Sequence, residues 1–313
     1  MNPSGFTPRF PFAHTFSVIA RDVATGQMGV AVQSHWFSVG SVVPWAEAGV
    51  GAIATQAMAE ISYGPLGLTL LRAGKSAAET LNALLSTDSG RELRQVAMVD
   101  THGSVATHTG KRCMDFAGHF TGEGFSVQAN MMSNATIWGA MAEAYRATQG
   151  DFAERLLATL EAAQQAGGDV RGQQSAAMLI VPAQPSGKPW QDRLVDLRVE
   201  DSLQPIVELR RLVRVQRAYQ FMNEGDAHLG EGRIDEALRC YTTADELAPE
   251  MDELPFWHAT TLADMGRVDE ALPIFRRVFE LNPNWAELLK RLPPVGLLRD
   301  NPEMMAKILA ECT

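Results

Sequence analysis

The sequence predicts an α+β domain followed by an all-α region, and three observations carry that expectation. Runs of alternating apolar and polar residues beginning at residue 15 are joined by short turn segments, as antiparallel strands are. Stretches with apolar residues at helical spacing come in pairs, at 62–85 and again at 136–166. Beyond Pro205 the chain repeats itself at an offset of 34 residues. Strand hairpins combined with paired helices point to a layered sandwich rather than a parallel dinucleotide-binding sheet.

The first strand is expected over Thr15–Arg21, with Phe16, Val18 and Ala20 on one face and Ser17 and Ile19 on the other. Asp22 stops it, and Thr25-Gly26 supplies turn chemistry. Residues 28–33 resume as a second strand, which makes an antiparallel hairpin. A third strand follows at 50–56. Between the second and third lies Ser34-His35-Trp36-Phe37-Ser38-Val39-Gly40, a polar and aromatic segment that the hairpin should carry to one edge of the sheet.

Helices are predicted at 62–73 and 76–85, the second opened by Ser76-Ala-Ala-Glu79, which has the form of a capping box. Strands follow at 94–99 and 104–108, joined by the turn Asp100-Thr-His-Gly103, and another at 124–130. Helices at 136–147 and 151–166 precede strands at 175–182 and 194–199. Those two strands complete the domain, whose bounds are 15–204.

From 205 to 313 the reading is helical. Gly232-Arg-Ile-Asp-Glu-Ala-Leu238, Tyr241 and Pro249 recur as Gly266-Arg-Val-Asp-Glu-Ala-Leu272, Phe275 and Pro283. Thirty-four residues is the period of the tetratricopeptide repeat, which this region resembles. Small Ala237 and Ala271 would let the second helix of each pair approach its partner. Tyr241 and Phe275 would fill the space between pairs, while Pro249 and Pro283 end the helices. The second copy departs early, with Pro255, His258 and Ala259 where the repeat usually carries an aromatic, a leucine and a glycine. Two repeats are few for such an array, so capping helices at 207–221 and within 284–313, or docking on the first domain, should complete it. Self-association into a homo-oligomer is expected on the same ground, with a protein or peptide partner as the other use of the region.

Composition narrows the function classes. The formal net charge is −10, and the basic run Arg210-Arg211-Leu-Val-Arg214-Val-Gln-Arg217 reads as the solvated face of a helix, so no nucleic-acid role is expected. No apolar run is long enough to span a bilayer, and the first residues do not resemble a secretory signal, so a cytoplasmic protein is expected. Cys113, Cys240 and Cys312 are odd in number and far apart, without disulfide or metal-ligand spacing. No cofactor and no metal is expected. His102, His108 and His119 lack a regular ligand pattern, and no phosphate loop, His-Glu-x-x-His or Gly-x-Ser-x-Gly is present.

The block Thr15-Phe-Ser-Val-Ile-Ala-Arg-Asp22 resembles the start of the domain-of-unknown-function 1028 family. Further matches are Gly29-Val-Ala-Val-Gln-Ser-His-Trp36, Val43-Pro-Trp-Ala-Glu47, Gly49-Val-Gly51, Thr55-Gln56 and Phe125-Ser-Val-Gln-Ala-Asn-Met131. The resemblance runs from Thr15 to the low 200s. It implies a fold similar to the N-terminal nucleophile hydrolases, a four-layer αββα sandwich of two antiparallel sheets between helical layers. It implies a reaction class, hydrolysis of an amide or other non-peptide C–N bond of a small molecule, and no particular substrate.

That chemistry has a definite requirement at Thr15. A threonine hydroxyl needs an adjacent base, and a threonine at the chain terminus can use its own α-amine, with an unperturbed pKa of about 7.7–8.0. An internal Thr15 carries an amide there, which cannot act as a base. Fourteen residues precede it, so residues 1–14 are read as an extension or propeptide and the mechanism demands cleavage of the His14–Thr15 bond. Gln128 and Asn130 share a strand face and are the candidate oxyanion donors beside Thr15. Gln33, Ser34, His35, Trp36, Glu47, Gln56 and Glu60 are the candidate substrate-binding residues. The competing expectation is a noncatalytic ligand-binding or scaffolding protein whose repeats recruit a partner or dimerise.

Overall fold

A computed structural model describes residues 12, 13 and 15–312, so most of the extension, His14 included, lies outside the described residues. The chain divides into two compact units, one ending at Val213 and the other running from Arg214. Among the described residues no helix is long and apolar enough to cross a membrane.

Among the described residues the first unit holds eleven strands in two antiparallel sheets. One contains β1 (Phe12–Ala13), β4 (Pro44–Glu47), β5 (Gly51–Met58), β6 (Arg94–Asp100) and β7 (Val105–Thr109). Its order is β1-β5-β6-β7, with β4 also paired to β5. The other contains β2 (Thr15–Arg21), β3 (Met28–Ser34), β8 (Gly118–Gly122), β9 (Phe125–Ala129), β10 (Ser175–Val181) and β11 (Val195–Val199), in the order β11-β10-β3-β2-β9-β8. β1 and β2 belong to different sheets, with only position 14 between them.

Side-chain parity assembles the layers. Phe16, Val18 and Ala20 of β2 join Leu156, Leu160 and Met141 in a core against α3 (Ile137–Ala147) and α4 (Phe152–Gln165). Ile19 points the other way and meets Val30, Val32, Ala52, Ala54, Ala97 and Val99 in a core between the two sheets. On the far face of the first sheet, Ile53, Val96 and Met98 pack against α1 (Tyr63–Arg72) and α2 (Ala77–Thr87). Every central strand is therefore buried on both faces, which is why β3 and β10 are apolar almost throughout. The capping box of α2 forms as expected: Glu79 N donates to Ser76 Oγ at 3.3 Å and Ser76 N to Glu79 Oε2 at 2.9 Å.

Some elements differ from the sequence expectation. β4 and β8 were not anticipated; β4 opens on a proline, tolerated because the strand pairs on one side only, and β8 is a glycine-bounded edge strand. β3 lies between β2 and β10, so the 34–40 segment leaves from the end of a central strand rather than a lateral edge. The helix expected at 207–221 runs as α5 from Pro205 to Gly230, and the division between the units falls inside it.

In the second unit, α6 (Ile234–Leu247), α7 (Glu253–Asp264), α8 (Val268–Leu281), α9 (Asn284–Leu289) and α10 (Pro302–Leu309) follow the end of α5. Ala237 and Ala271 are fully buried, and Tyr241 and Phe275 fill the spaces beside them. Gly232 and Gly266 turn the chain between helices at φ 76° and 83°, a backbone region that favours glycine. His258, one of the departures from the repeat pattern, is buried and bonds Asp245 Oδ2 through Nδ1 at 3.0 Å.

A candidate active site between the sheets

The space between the sheets is apolar on one side and polar on the other. The polar part is built by parity: β2 contributes Thr15 and Ser17, β5 Gln56, β6 Gln95, β7 Thr107 and Thr109, and β9 Ser126 and Gln128. Asn130 follows directly after β9. Thr15, Ser17, Gln56, Gln95, Ser126, Gln128 and Asn130 are all fully buried, so their polar groups must satisfy one another.

They do so through one connected network. Gln95 Oε1 accepts from Gln56 Nε2 at 2.7 Å and from Asn130 Nδ2 at 2.9 Å. Gln95 Nε2 donates to Thr109 Oγ1 at 2.9 Å, Gly118 O at 3.2 Å and Ala129 O at 2.9 Å. Both Gln56 Nε2 and Asn130 Nδ2 also reach the Thr15 carbonyl, at 3.2 and 3.3 Å, and Asn130 N donates to the same oxygen at 3.1 Å. One row along β2, Ser17 Oγ donates to Gln56 Oε1 at 2.6 Å and accepts from Gln128 Nε2 at 2.6 Å, while Ser126 Oγ donates to Gln128 Oε1 at 3.0 Å. At the outer end, Thr109 Oγ1 bonds His119 Nδ1 at 2.8 Å. Packing around its ring, then nearby His108, hold His119 below the ordinary histidine range.

The network thus brings together Thr15, Gln56 and Asn130. Ser34 pairs with Thr15 across β2 and β3, and Ser175 with Ser34, so these three share the same row and face. Gln128 sits opposite Ser17, one row away from Thr15, with both ends of its amide held by serines. Gln33 turns to the other face of the sheet, and both its amide atoms are buried without a hydrogen-bond partner. His35 and Trp36 are partly exposed at the end of β3; His35 N donates to Asp169 Oδ2 at 3.3 Å, and Trp36 O accepts from Ser175 Oγ. Asp169 in turn holds Arg171 Nη2 at 2.7 Å.

Two of the expected substrate-binding residues lie elsewhere. Glu47 pairs with Gly51 at the far end of β5, five residues from Gln56 and so about 17 Å along the strand, and its carboxylate is ion-paired with Arg72. Glu60 accepts from Ser62 Oγ at 2.7 Å and lies 3.8 Å from Arg94 Nη2, while its carbonyl takes Thr55 Oγ1 from the opposite face of β5 to Gln56.

Ser17, Gln95, Ser126 and the Thr107–Thr109–His119 edge were missed by sequence reasoning. The usable signal was parity: Gln95 shares a face with the buried apolar residues Ala97 and Val99. Backbone strain marks the same place. Ala57, directly after Gln56, has φ 68°, and Met131, directly after Asn130, has φ 58°. Each left-handed non-glycine residue costs about 1–2 kcal/mol, and such outliers concentrate at functional sites.

Comparison with known proteins supports a single lineage for this unit. A model of a family of unknown function, DUF1028, matches residues 15–209, and a tetratricopeptide-repeat model matches 228–292. None of the curated proteins compared with the chain matches it. A crystal structure of a Silicibacter pomeroyi protein, itself assigned to DUF1028, is 35% identical with a TM-score of 0.58, over 64% of this chain and 84% of that one. Since the family model spans more than half of the 313 residues, the chain belongs to the DUF1028 family of unknown function and carries a tetratricopeptide-repeat region after it.

Proposed function

We propose that the first unit is an N-terminal nucleophile hydrolase with the four-layer fold of that class, and that Thr15 attacks the carbonyl of an amide or related C–N bond in a small molecule. One observation carries the reading: Thr15 heads a central strand on the face between the sheets, and its carbonyl is gripped by Asn130 and Gln56, each followed by a strained residue.

In the intact chain the Thr15 nitrogen is an amide and its side chain is buried, and in this proposal that chain is the precursor. Cleavage between residues 14 and 15 creates the α-amine. That amine takes the hydroxyl proton as Thr15 Oγ adds to the substrate carbonyl. The tetrahedral adduct then expels the amine leaving group, which collects the proton, and leaves an acyl ester on Oγ. Water activated by the same amine cleaves the ester and restores the hydroxyl. Asn130 Nδ2, which lies 3.3 Å from the Thr15 carbonyl, is the side-chain amide we assign to the developing oxyanion; Gln128 acts at one remove, holding Ser17. Ser34, Gln56, His35 and Trp36 remain the groups we assign to substrate binding. The repeat region recruits a protein partner or a second copy.

The test is a panel of small primary and secondary amides assayed with the wild-type chain, Thr15→Ala and Thr15→Ser. The proposal expects Thr15→Ala to abolish turnover and Thr15→Ser to retain part of it. Turnover unchanged in Thr15→Ala would remove Thr15 from the chemistry.

A further inference from the structure

The second unit contains a cavity of about 490 Å³ that the chemistry of Thr15 does not use. Met222, Asp226 and Leu229 line it from α5, at spacings of four and three residues that put them on one stripe of the helix. Trp257 and Asp264 line it from α7, seven residues apart on one stripe, and Met265 continues the wall. The trough therefore runs about 10 Å along the helices, the length of about three extended residues.

Its walls combine apolar and aromatic side chains with the hydroxyl residues Thr260 and Thr261, and its two ionisable lining groups are both carboxylates. Asp226 Oδ1 is fixed by the Tyr241 hydroxyl at 2.7 Å. Asp264 Oδ1 accepts from Arg299 N at 2.7 Å and lies 3.5 Å from Arg299 Nε, in a pair half open to solvent that a ligand can displace at little cost. The surroundings reinforce the sign: residues 214–313 carry 11 Lys and Arg against 18 Asp and Glu, a net −7 out of the chain's −10.

We propose that this trough binds an extended segment of a partner protein anchored by an arginine. The guanidinium would stack on the Trp257 ring and pair with Asp226 and Asp264, while the flanking residues and the arginine's own methylenes would lie against Met222, Leu229 and Met265. Arginine suits the site better than lysine because its planar fork can stack and pair at once. A chain segment suits it better than a free cation because the trough is long enough for the neighbours of the anchor. This deepens the partner-recruiting reading of the repeats and is independent of the Thr15 chemistry.

The experiment is isothermal titration of the full chain with three probes: acetyl-Ala-Leu-Arg-Leu-Ala-amide, the same peptide with citrulline in place of arginine, and argininamide alone. The arginine peptide should bind, at least tenfold more tightly than the citrulline peptide and than argininamide. Asp264→Asn and Asp226→Asn, both of which keep their shape and one acceptor oxygen while removing the charge, should each weaken it several-fold, and raising salt from 50 to 500 mM should do the same. If the citrulline peptide binds equally, the charge inference fails while partner recruitment by the repeats stands. Equal binding of argininamide overturns the segment in favour of a small cation. No binding by any probe, or binding unmoved by both aspartate variants, overturns the assignment of the trough.

Discussion

Replacing Gln95 by leucine probes the interlayer network at its centre. The Gln95 side chain makes five hydrogen bonds to Gln56, Asn130, Thr109, Gly118 and Ala129, all at 3.2 Å or less. At about 1 kcal/mol net for each, the ceiling is about 5 kcal/mol. Three of the partners keep a second contact: Gln56 and Asn130 still reach the Thr15 carbonyl, and Thr109 still reaches His119. Leucine also recovers some apolar burial, so a net loss of about 3 kcal/mol is expected. For a unit of this size that lowers the melting temperature by about 6–12 °C. Calorimetry is the assay, because two compact units can unfold separately and only the transition of the first should move. Gln95→Glu keeps the acceptor oxygens for Gln56 and Asn130 but strips the donor from the other three partners and buries a carboxyl group, so it should cost at least as much. A loss under about 1 kcal/mol in Gln95→Leu would mean that these amides do not depend on one another, and the site would lose its framework.

Other outcomes follow from single residues. Gln33→Leu should raise stability by about 1 kcal/mol in urea unfolding, since its buried amide has no partner to lose; a fall of that size would show that the amide is satisfied in solution. Burial alone would raise the Asp88 carboxyl, but hydrogen bonds from Arg94, Gly90 and Tyr63 outweigh it and hold the pKa below the usual value. A depressed folded pKa contributes stability above the unfolded value of about 3.9 that is lost as pH falls. Asp88→Asn should therefore destabilise the protein at pH 6 and flatten the acid limb of a stability-pH curve; parallel curves would contradict this. Burial pushes the Cys113 thiol up to about 11, so at pH 8 a thiol-specific chromogenic reagent should modify exposed Cys312 well before Cys113. Equal rates would place Cys113 at the surface.

Much of the fold was legible because burial left a clear period. Phe16, Val18 and Ala20 alternate with Ser17 and Ile19, and the two sets do face different layers. The 34-residue offset was equally direct, since Ala237 and Ala271 must be small for the helices to approach. β4 and β8 were harder: β4 is four residues that open on a proline and β8 is five residues with glycine at both ends, so neither carries a strong strand pattern. The site was partly legible. Gln56 was named for its place at the third strand and Asn130 for sharing a face with Gln128, and the two do meet at Thr15. Glu47 was drawn in by its place in a motif, yet it sits near the opposite end of β5, and sequence proximity to a strand does not say which end a side chain occupies. Gln95 went unnoticed because its role depends on the pairing of β6 with β5 and on the packing of two sheets, and both join residues that are distant in the chain.

The proposed chemistry turns on one covalent bond, the one between His14 and Thr15. Intact-mass spectrometry with N-terminal sequencing of the purified, active protein reads it directly. The account predicts that active chains begin at Thr15, with the terminal amine available as base. Active chains that still carry residues 1–14 would contradict it, because an amide nitrogen at Thr15 cannot take the hydroxyl proton.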